Sequence, residues 1–593
     1  MSILCGTLGE SENEAADAVR RMAAAAPRPA EELSIVRLGT VSLGCATSKW
    51  PVQSGVAESG GLAAVFLGMF DNIADIARDL DTTTRHFDEG EPAAVLVEMF
   101  RCFGVDAPRR IRGMFSGIIT DGKQVWLFRD QIGFWPLFYR WDRRRLVFAT
   151  HARQVTAGAG LRDEPDLEVI QKGFFRNLGV DPRCALKGVE RIPPATITTC
   201  KGGTPVHERY WRPESLLEAG GLSPADVPER FDELMTQAVD RTLKGDDVVS
   251  LSGGIDSPAV AGYAAPISRL RFGHTLGALS VSYPQHPSVD ESDLVIEVAD
   301  RLDMPVHLYQ TEVKALDRFE EIMGVLDGPF PMSSLTERLS HLEKARSLGF
   351  RNMLTGELAE YLIDMRDNTL SHLLSHGRIR AASDHVRGLR AGGLTGRQIV
   401  RRTISSIAPA VILDLKRRSQ ATPPVSPAPP EWLDIEAFPR PTAYPVRERW
   451  RADQLGAFGG PGLAFEAEYA IQAMSGVWIR LPWADIDLWE FFLGLRAEIK
   501  YPDPWRKTLV RALIKGRVPD SIRHRTTRTF FDASMMEAID YPSLRTWLVD
   551  SDFQLDGVDY GMLEEQLESE SLTLPGFMWA KDLASVHAFM ARW

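Results

Sequence analysis

The residues best placed to do chemistry lie in Ser250-Leu251-Ser252-Gly253-Gly254-Ile255-Asp256-Ser257, directly after Val248-Val249 and before an apolar run that begins at Pro258. This reads as a short β-branched strand, then a turn rich in serine and glycine, then a helix. Two adjacent glycines let the backbone turn tightly and come close to a ligand. Successive amide N–H groups in such a turn, backed by a helix N-terminus, form a nest for anions. A carboxylate such as Asp256 would repel bare phosphate there, but a magnesium ion bridging carboxylate and phosphate removes the conflict. No G-x-x-x-x-G-K-[ST] is present, which excludes the Walker loop.

The surrounding sequence supplies the elements that must hold this turn. A helix near Val227 to Leu243 leads into the strand before it. Strands at Leu279-Ser280-Val281-Ser282 and Met353-Leu354-Thr355 then alternate with helices at Ser292–Leu302 and Leu335–Leu348. Such alternation predicts a parallel, doubly wound sheet whose ligands sit at the carboxyl ends of its strands, where Gly253 and Gly254 fall. Residues 1 to about 212 differ. Short β-rich runs at 113–121, 124–128 and 146–150 are separated by turns, with Asp121-Gly122 as a hairpin signal. One clear helix, Pro92 to Phe103, interrupts them, with Ala94, Val95, Val97, Met99 and Phe100 on its apolar side. The pattern is α+β with an antiparallel sheet. After about Ser371 the chain is helical and carries Arg378, Arg380, Arg387, Arg390, Arg397, Arg401 and Arg402, a run that reads most simply as a solvated face and alternatively as a surface for an acidic peptide or a partner protein. The proline-rich stretch Thr422 to Pro430 reads as an extended loop or linker, and helical periodicity resumes from about Gly462 to Trp593.

At 593 residues the chain exceeds one core. Its net charge of −12 argues against general nucleic-acid binding, which leaves a basic footprint. Five scattered cysteines (Cys5, Cys45, Cys102, Cys184, Cys200) lack C-x-x-C spacing, which excludes a zinc ribbon and points to a reducing cytoplasm. No stretch approaches 18 apolar residues and no signal segment opens the chain, so neither a membrane nor export is expected.

The pattern S-G-G-x-D-S resembles the pyrophosphate loop of ATP pyrophosphatases, which cleave ATP between its α and β phosphates and adenylate a substrate. Two further segments narrow the resemblance. Gly113-Met114-Phe115 with Phe128-Arg129-Asp130-Gln131-Ile132-Gly133-Phe134-Trp135-Pro136-Leu137-Phe138-Tyr139 is similar to the signature of class II glutamine amidotransferase domains. Leu354-Thr355-Gly356-Glu357-Leu358-Ala359-Glu360 looks like the L-S-G-E-G-x-D segment of asparagine synthetases. Ile192-Pro193-Pro194 before Tyr210-Trp211, and Arg480-Leu481-Pro482-Trp483-Ala484-Asp485, are supporting matches. The chain is thus identified as a member of the asparagine-synthetase superfamily. The resemblance implies an N-terminal glutaminase-like (Ntn-type) antiparallel sandwich over 1–212. An α/β adenine-nucleotide-hydrolase-like synthetase domain over 224–593 follows, with a helical C-terminal part. The arginine-rich insertion and proline-rich linker occupy about 371–435.

The resemblance also implies roles. Ser252, Gly253, Gly254 and Ser257 would hold the pyrophosphate portion of ATP. Asp256 would ligate Mg2+, with Glu360 in the place of a second metal-binding aspartate. Leu251, Val281 and Gly356 would line the adenosine pocket. Glu357 would sit beside the acyl-adenylate and orient or deprotonate an attacking amine. The family's pyrophosphate-contacting lysine is missing from Arg525-Thr526-Thr527-Arg528, leaving Arg528, the preferred candidate, or Lys507 to supply the charge.

Departures from the pattern carry functional information. A working glutaminase of this class uses cysteine as its first residue, with its own α-amine as base. Here Cys5-Gly6-Thr7-Leu8-Gly9 matches the opening pattern behind Met1-Ser2-Ile3-Leu4, and nothing like H-R-G-P-D occurs between Val41 and Ser59. The expectation is a structural N-terminal half and an amine taken from elsewhere. Glutamate at 357, where β-lactam synthetases carry tyrosine, disfavours that subclass, and the arginine-rich segment and length resemble lasso-peptide macrolactam synthetases. The implied reaction is ATP-dependent adenylation of an Asp or Glu side chain of a leader-free core peptide, followed by attack of the peptide's N-terminal amine. The implied partners are that peptide, a leader peptidase and a leader-recognition protein. The rival readings are an ammonia-dependent asparagine synthetase or other small-molecule amide ligase, and an inactive scaffold.

Overall fold

The computed structural model describes residues 3–9, 12–28, 32–47, 53–80, 90–176, 181–311, 313–314, 316–329, 334–391, 394–418, 427–439, 443–458, 462–503, 506–525, 527, 529, 532–537 and 539–593. The N-terminal part is two antiparallel sheets face to face. One has the order Glu190–Arg191, Phe138–Trp141, Leu146–Ala149, Ile3–Leu8, Val41–Thr47, Glu32–Leu38. The other runs Val206–Arg209, Thr196–Cys200, Val125–Arg129, Phe115–Thr120, Leu62–Gly68, Gln53–Ser59. The expected hairpin forms between Phe115–Thr120 and Val125–Arg129. Asp121 closes it by accepting the N–H groups of Lys123 and Gln124 at 2.9 and 3.0 Å.

The helix at Pro92–Phe103 forms as expected, but it is not alone. Glu12–Ala24, Ile73–Leu80, Ala152–Ala159 and Leu167–Phe174 are helical too. Three of them are only eight residues long, and tertiary burial secures them: Ala18, Val19 and Met22 of the first are fully buried.

The amidotransferase-like motif folds as a hydrogen-bond hub. Arg129, 2% exposed, donates to the carbonyls of Gly133, Trp135 and Ile192. Asp130 accepts from the N–H groups of Phe115, Ile132, Phe134 and Trp135. Gly133 turns at φ +71°, with Pro194 packed where a Cβ would stand. Its residue types are therefore explained by stitching the 130–136 turn to both sheets.

The second part is a parallel sheet in the order Val306–Tyr309, Gly277–Val281, Asp247–Ser250, Asn352–Leu354, Trp478–Arg480. Helices Val227–Thr242, Asp256–Phe272, Ser292–Leu302 and Leu335–Ser347 cover it, close to where the sequence predicts them. The strand Trp478–Arg480 corrects an expectation of uninterrupted helix from Gly462 onward. Three residues are too short to show a period, and their burial in the sheet fixes them.

Of the stretch expected as an extended loop or linker, Thr422 to Pro430, the described residues 427–430 carry no helix or strand, and the chain there is fastened to the core. Trp432 is fully buried, and Trp579 of the helix Leu574–Met590 donates to the carbonyl of Pro427 at 3.2 Å. Large apolar side chains after the prolines fasten it to the core. The two parts share a contact surface in which Trp135 stacks on Trp478 at 5.1 Å and Asp327 accepts from Arg153 at 2.6 Å. Among the described residues, no helix is long and apolar enough to cross a membrane.

Candidate active site

In the strand order, Asp247–Ser250 pairs with Gly277–Val281 on one side and Asn352–Leu354 on the other. The chain returns to opposite sides of the first strand, so a crevice opens at the carboxyl ends where the two crossovers diverge. A cavity of about 420 Å³ lies there. Leu251, Ser252, Val281 and Glu357, four of the predicted residues, line it together with Arg338 and His341 from the helix Leu335–Ser347.

The serine–glycine turn is held by its own hydroxyls. Ser252 N–H donates to Ser257 Oγ at 3.0 Å, the two hydroxyls stand 3.1 Å apart, and Gly254 N–H reaches Ser252 Oγ at 3.3 Å. Gly253 N–H donates to the Glu291 carboxylate at 2.8 Å. Arg525 donates to Gly253 O at 2.6 Å and to Glu291 at 2.7 Å, and Thr529 donates to Glu291 as well. Glu291 thus places a carboxylate where the nest directs an anion, with Arg525 as its counter-charge. Glu291 carries no sequence signal beyond a helix start, and Arg525 marks the segment where the family's lysine is missing; neither is among the site residues expected from sequence.

Asp256 opens the helix Asp256–Phe272. One oxygen pairs with Lys507, while Oδ1 is buried without a hydrogen-bond partner. Burial raises its pKa, and the ammonium of Lys507 pulls it back down. Lys507 sits at φ +57°, a costly backbone for a residue with a Cβ, at the start of the helix Thr508–Leu513. Loss of surrounding water raises the Glu360 pKa, and the negative charge of Asp256 adds to it, so the two acids share one electrostatic neighbourhood. Leu358 turns at φ +66° between Glu357 and the helix Ala359–Ile363, which separates the directions of Glu357 and Glu360. Gly356 packs so tightly on the start of the Asp256 helix that a Cβ would collide with the backbone of Asp256 and Ser257. Its glycine is required by that approach.

Glu357 accepts from Arg338 through both oxygens, at 2.8 and 3.1 Å. On its other side Arg338 faces Glu468 at 2.5 Å. Burial pushes Glu468 up to about 7 against the pull of Arg338. His341, held between Ser250 Oγ and Tyr309 OH at 2.9 Å each, is lowered to about 4 by burial and by Arg338, and is neutral at pH 7. Arg338, His341 and Glu468 read as ordinary helix residues in sequence. Arg528, the favoured substitute for the missing lysine, lies outside the described residues. The alternative, Lys507, is the cation found beside Asp256.

This donor set fits a nucleotide with a divalent ion. An orphaned carboxylate oxygen and a second acid supply hard oxygen ligands, and magnesium characteristically takes one or two carboxylates plus phosphate oxygens. The turn provides amides and hydroxyls for the phosphates. Leu251 and Ile479 supply apolar lining for a base.

Comparison with known proteins agrees with this geometry. The asparagine synthase family model matches residues 230–575, more than half of the chain. The chain belongs to the asparagine synthase family. The glutamine amidotransferase domain model matches residues 4–211, the antiparallel part. Among relatives, "Amidase chyE" of Penicillium rubens is 26% identical over 282 residues, covering 44% of this chain and 41% of that protein. Asparagine synthetase [glutamine-hydrolyzing] 2 of Bacillus subtilis is 26% identical over 339 residues, covering 53% and 44%. The same organism's asparagine synthetase [glutamine-hydrolyzing] 3 is 27% identical over 207 residues, covering 34% and 33%. The chain therefore spans less than half the length of each of these relatives.

Family membership makes the state of Cys5 informative. It lies mid-strand, paired to Gly44 and Ala149, with its side chain fully buried. Burial, reinforced by Cys45, pushes its thiol well above the ordinary range. A neutral, enclosed thiol is not a nucleophile.

Proposed function

We propose that this protein is an ATP-dependent, AMP-forming amide ligase that closes a macrolactam ring on a peptide, as lasso cyclases do. The observation that carries the ligase reading is the S-G-G-x-D-S turn at the sheet's carboxyl edge, with Asp256 Oδ1 unpartnered beside Lys507. The buried thiol of Cys5 supports an amine source other than glutamine. A peptide that carries both its carboxylate and its amine needs no ammonia-producing half. The proposal includes a structural 1–212 and a ligase unit over 224–593. It also includes a cytoplasmic setting, a leader peptidase, a leader-recognition protein and no nucleic acid.

In this reading Ser252, Gly253, Gly254 and Ser257 bind the pyrophosphate portion of ATP after Glu291 yields the Gly253 amide. Leu251, Val281 and Gly356 shape the adenosine pocket. Asp256 and Glu360 would hold Mg2+, which neutralises phosphate charge when bound. The substrate carboxylate attacks the α-phosphorus and the bond to the β-phosphate breaks, giving acyl-adenylate and pyrophosphate. Lys507, Arg525 or Arg528 stabilises the charge on the departing pyrophosphate. Glu357, oriented by Arg338, accepts a hydrogen bond from the incoming amine, which displaces AMP as it loses a proton. Holding amine and acyl-adenylate together is worth roughly 7–11 kcal/mol of barrier.

The Bacillus relatives, which are named asparagine synthetases, favour a second reading, in which the acceptor is a small amine such as ammonia and the acyl donor is aspartate. Mass spectrometry separates the two. With Mg-ATP and a peptide bearing a free N-terminus and an Asp or Glu several residues along, the cyclase reading predicts a product lighter by one water and unreactive to Edman degradation. Asparagine formed from aspartate and ammonium, with peptides untouched, overturns it.

A further inference from the structure

A second cavity, about 680 Å³, lies between the segment 366–370 and the helices Ile379–Ala391 and Gly396–Ile407. Arg366, Arg401, Arg402 and His385 line it, over a floor that includes Leu370 and Leu389, with Asp367 as its acid. Arg401 and Arg402 pair with no acid among the described residues. His385 is 7% exposed, yet its Nδ1 has no hydrogen-bond partner. Burial lowers the His385 pKa and the charges of Arg366 and Arg402 lower it further, while Asp503 opposes them, so these cations converge on the ring. A cavity that presents two guanidinium groups, Arg401 and Arg402, with no acid paired to them among the described residues is suited to carboxylate or phosphate, which the planar fork binds through paired hydrogen bonds.

Two features favour a peptide over a small anion. Arg366 donates to Asp364 at 3.1 Å, Arg506 donates to the same carboxylate at 2.7 Å, and its neighbour Lys507 pairs with Asp256. The cavity is thus joined to the phosphate turn by a short relay of ion pairs. Val400, Ile404 and Ile407 recur along the helix that bears Arg401 and are 57, 60 and 47% exposed. An apolar strip beside a cationic cavity suits a chain of alternating acidic and apolar side chains better than a lone ion.

We propose that this cavity anchors acidic side chains of the peptide whose carboxylate is activated at Asp256; this rests on the ligase reading above. The test uses the full chain and a fluorescein-labelled tetraglutamate probe, followed by fluorescence anisotropy at 0.15 M salt without nucleotide. Saturable binding is expected, weakened about tenfold or more by Arg401→Ala and by Arg402→Ala. Arg387→Ala, which removes an exposed charge paired with Asp384, should leave binding unchanged. Equal loss in all three variants, no saturable binding, or binding indifferent to Arg401 and Arg402 would overturn the proposal. Inorganic phosphate competing as well as unlabelled tetraglutamate would reassign the cavity to phosphate and overturn it too. Release of pyrophosphate is measured in parallel on the same protein preparations after addition of Mg-ATP. A wild-type protein that binds the probe through Arg401 and Arg402 but releases none keeps the anchor and loses the ligase reading. The converse result loses the anchor alone.

Discussion

Replacing Arg338 by methionine removes the guanidinium that stands between Glu357 and Glu468. The two carboxylates are unequal. The Glu357 side chain is 41% exposed and is rehydrated cheaply, so its share of the loss is small. That of Glu468 is 15% exposed, and stripping a buried charge of its partner costs about 3–5 kcal/mol. The cost depends on pH with a definite sign. Glu468 has a folded-state pKa of about 7 against an ordinary 4.5, so its proton stabilises the fold fully below 4.5, and that stability is lost as pH rises through 7. Arg338 holds this value down, so the variant's own pKa lies higher. Below 7 both proteins carry the proton and differ little. Above 7 the gap widens by about 1.4 kcal/mol per pH unit until the variant ionises too. Urea unfolding at pH 5.5, 7.0 and 8.5 should show a gap at pH 8.5 exceeding that at 5.5 by about 2 kcal/mol. Adding Glu468→Gln should flatten the dependence. A gap that is the same at every pH, or one that persists undiminished in the double variant, would refute the reasoning.

Three further predictions concern the active site. Lys507→Ala should lower turnover roughly 10²–10³-fold with the fold intact, and Arg528→Ala run beside it decides which of the two supplies the missing lysine's charge; unchanged turnover in both would assign that charge to Arg525. Gly356→Ala should cost about 1–3 kcal/mol, because its Cβ meets backbone rather than a mobile side chain, and should weaken ATP binding as the Asp256 helix shifts; calorimetry giving wild-type values for both would contradict the packing argument. Cys5→Ala should leave turnover unchanged, and the wild-type protein should release no glutamate from glutamine; glutamate release would restore a working glutaminase.

The serine–glycine turn is legible in the sequence because its residues are local. Ser252, Gly253, Gly254, Asp256 and Ser257 lie within six residues, and the strand and helix that flank them carry clear periodicity. Gly356-Glu357 is likewise marked by its place after a strand. What the sequence hid is what only tertiary structure assembles. Glu291, Arg338, Glu468 and Arg525 reach the site from elements separated by up to 234 residues, and each alone looks like a solvated charge. Lys507 was readable as a candidate but ranked second, because nothing in Trp505-Arg506-Lys507-Thr508 shows that its backbone is turned towards Asp256. The missed N-terminal helices and the strand Trp478–Arg480 have the same origin, since short elements take their form from the surfaces that bury them.

The most direct test of the account follows the phosphates of ATP. With ATP labelled separately at the α and γ positions, magnesium and an acidic peptide, the wild-type protein should yield labelled AMP and labelled pyrophosphate in equal amounts. Asp256→Asn, which removes charge at almost constant volume, should yield neither while keeping the wild-type melting profile. ADP with inorganic phosphate as the products, or near-normal AMP formation by Asp256→Asn, would contradict the account.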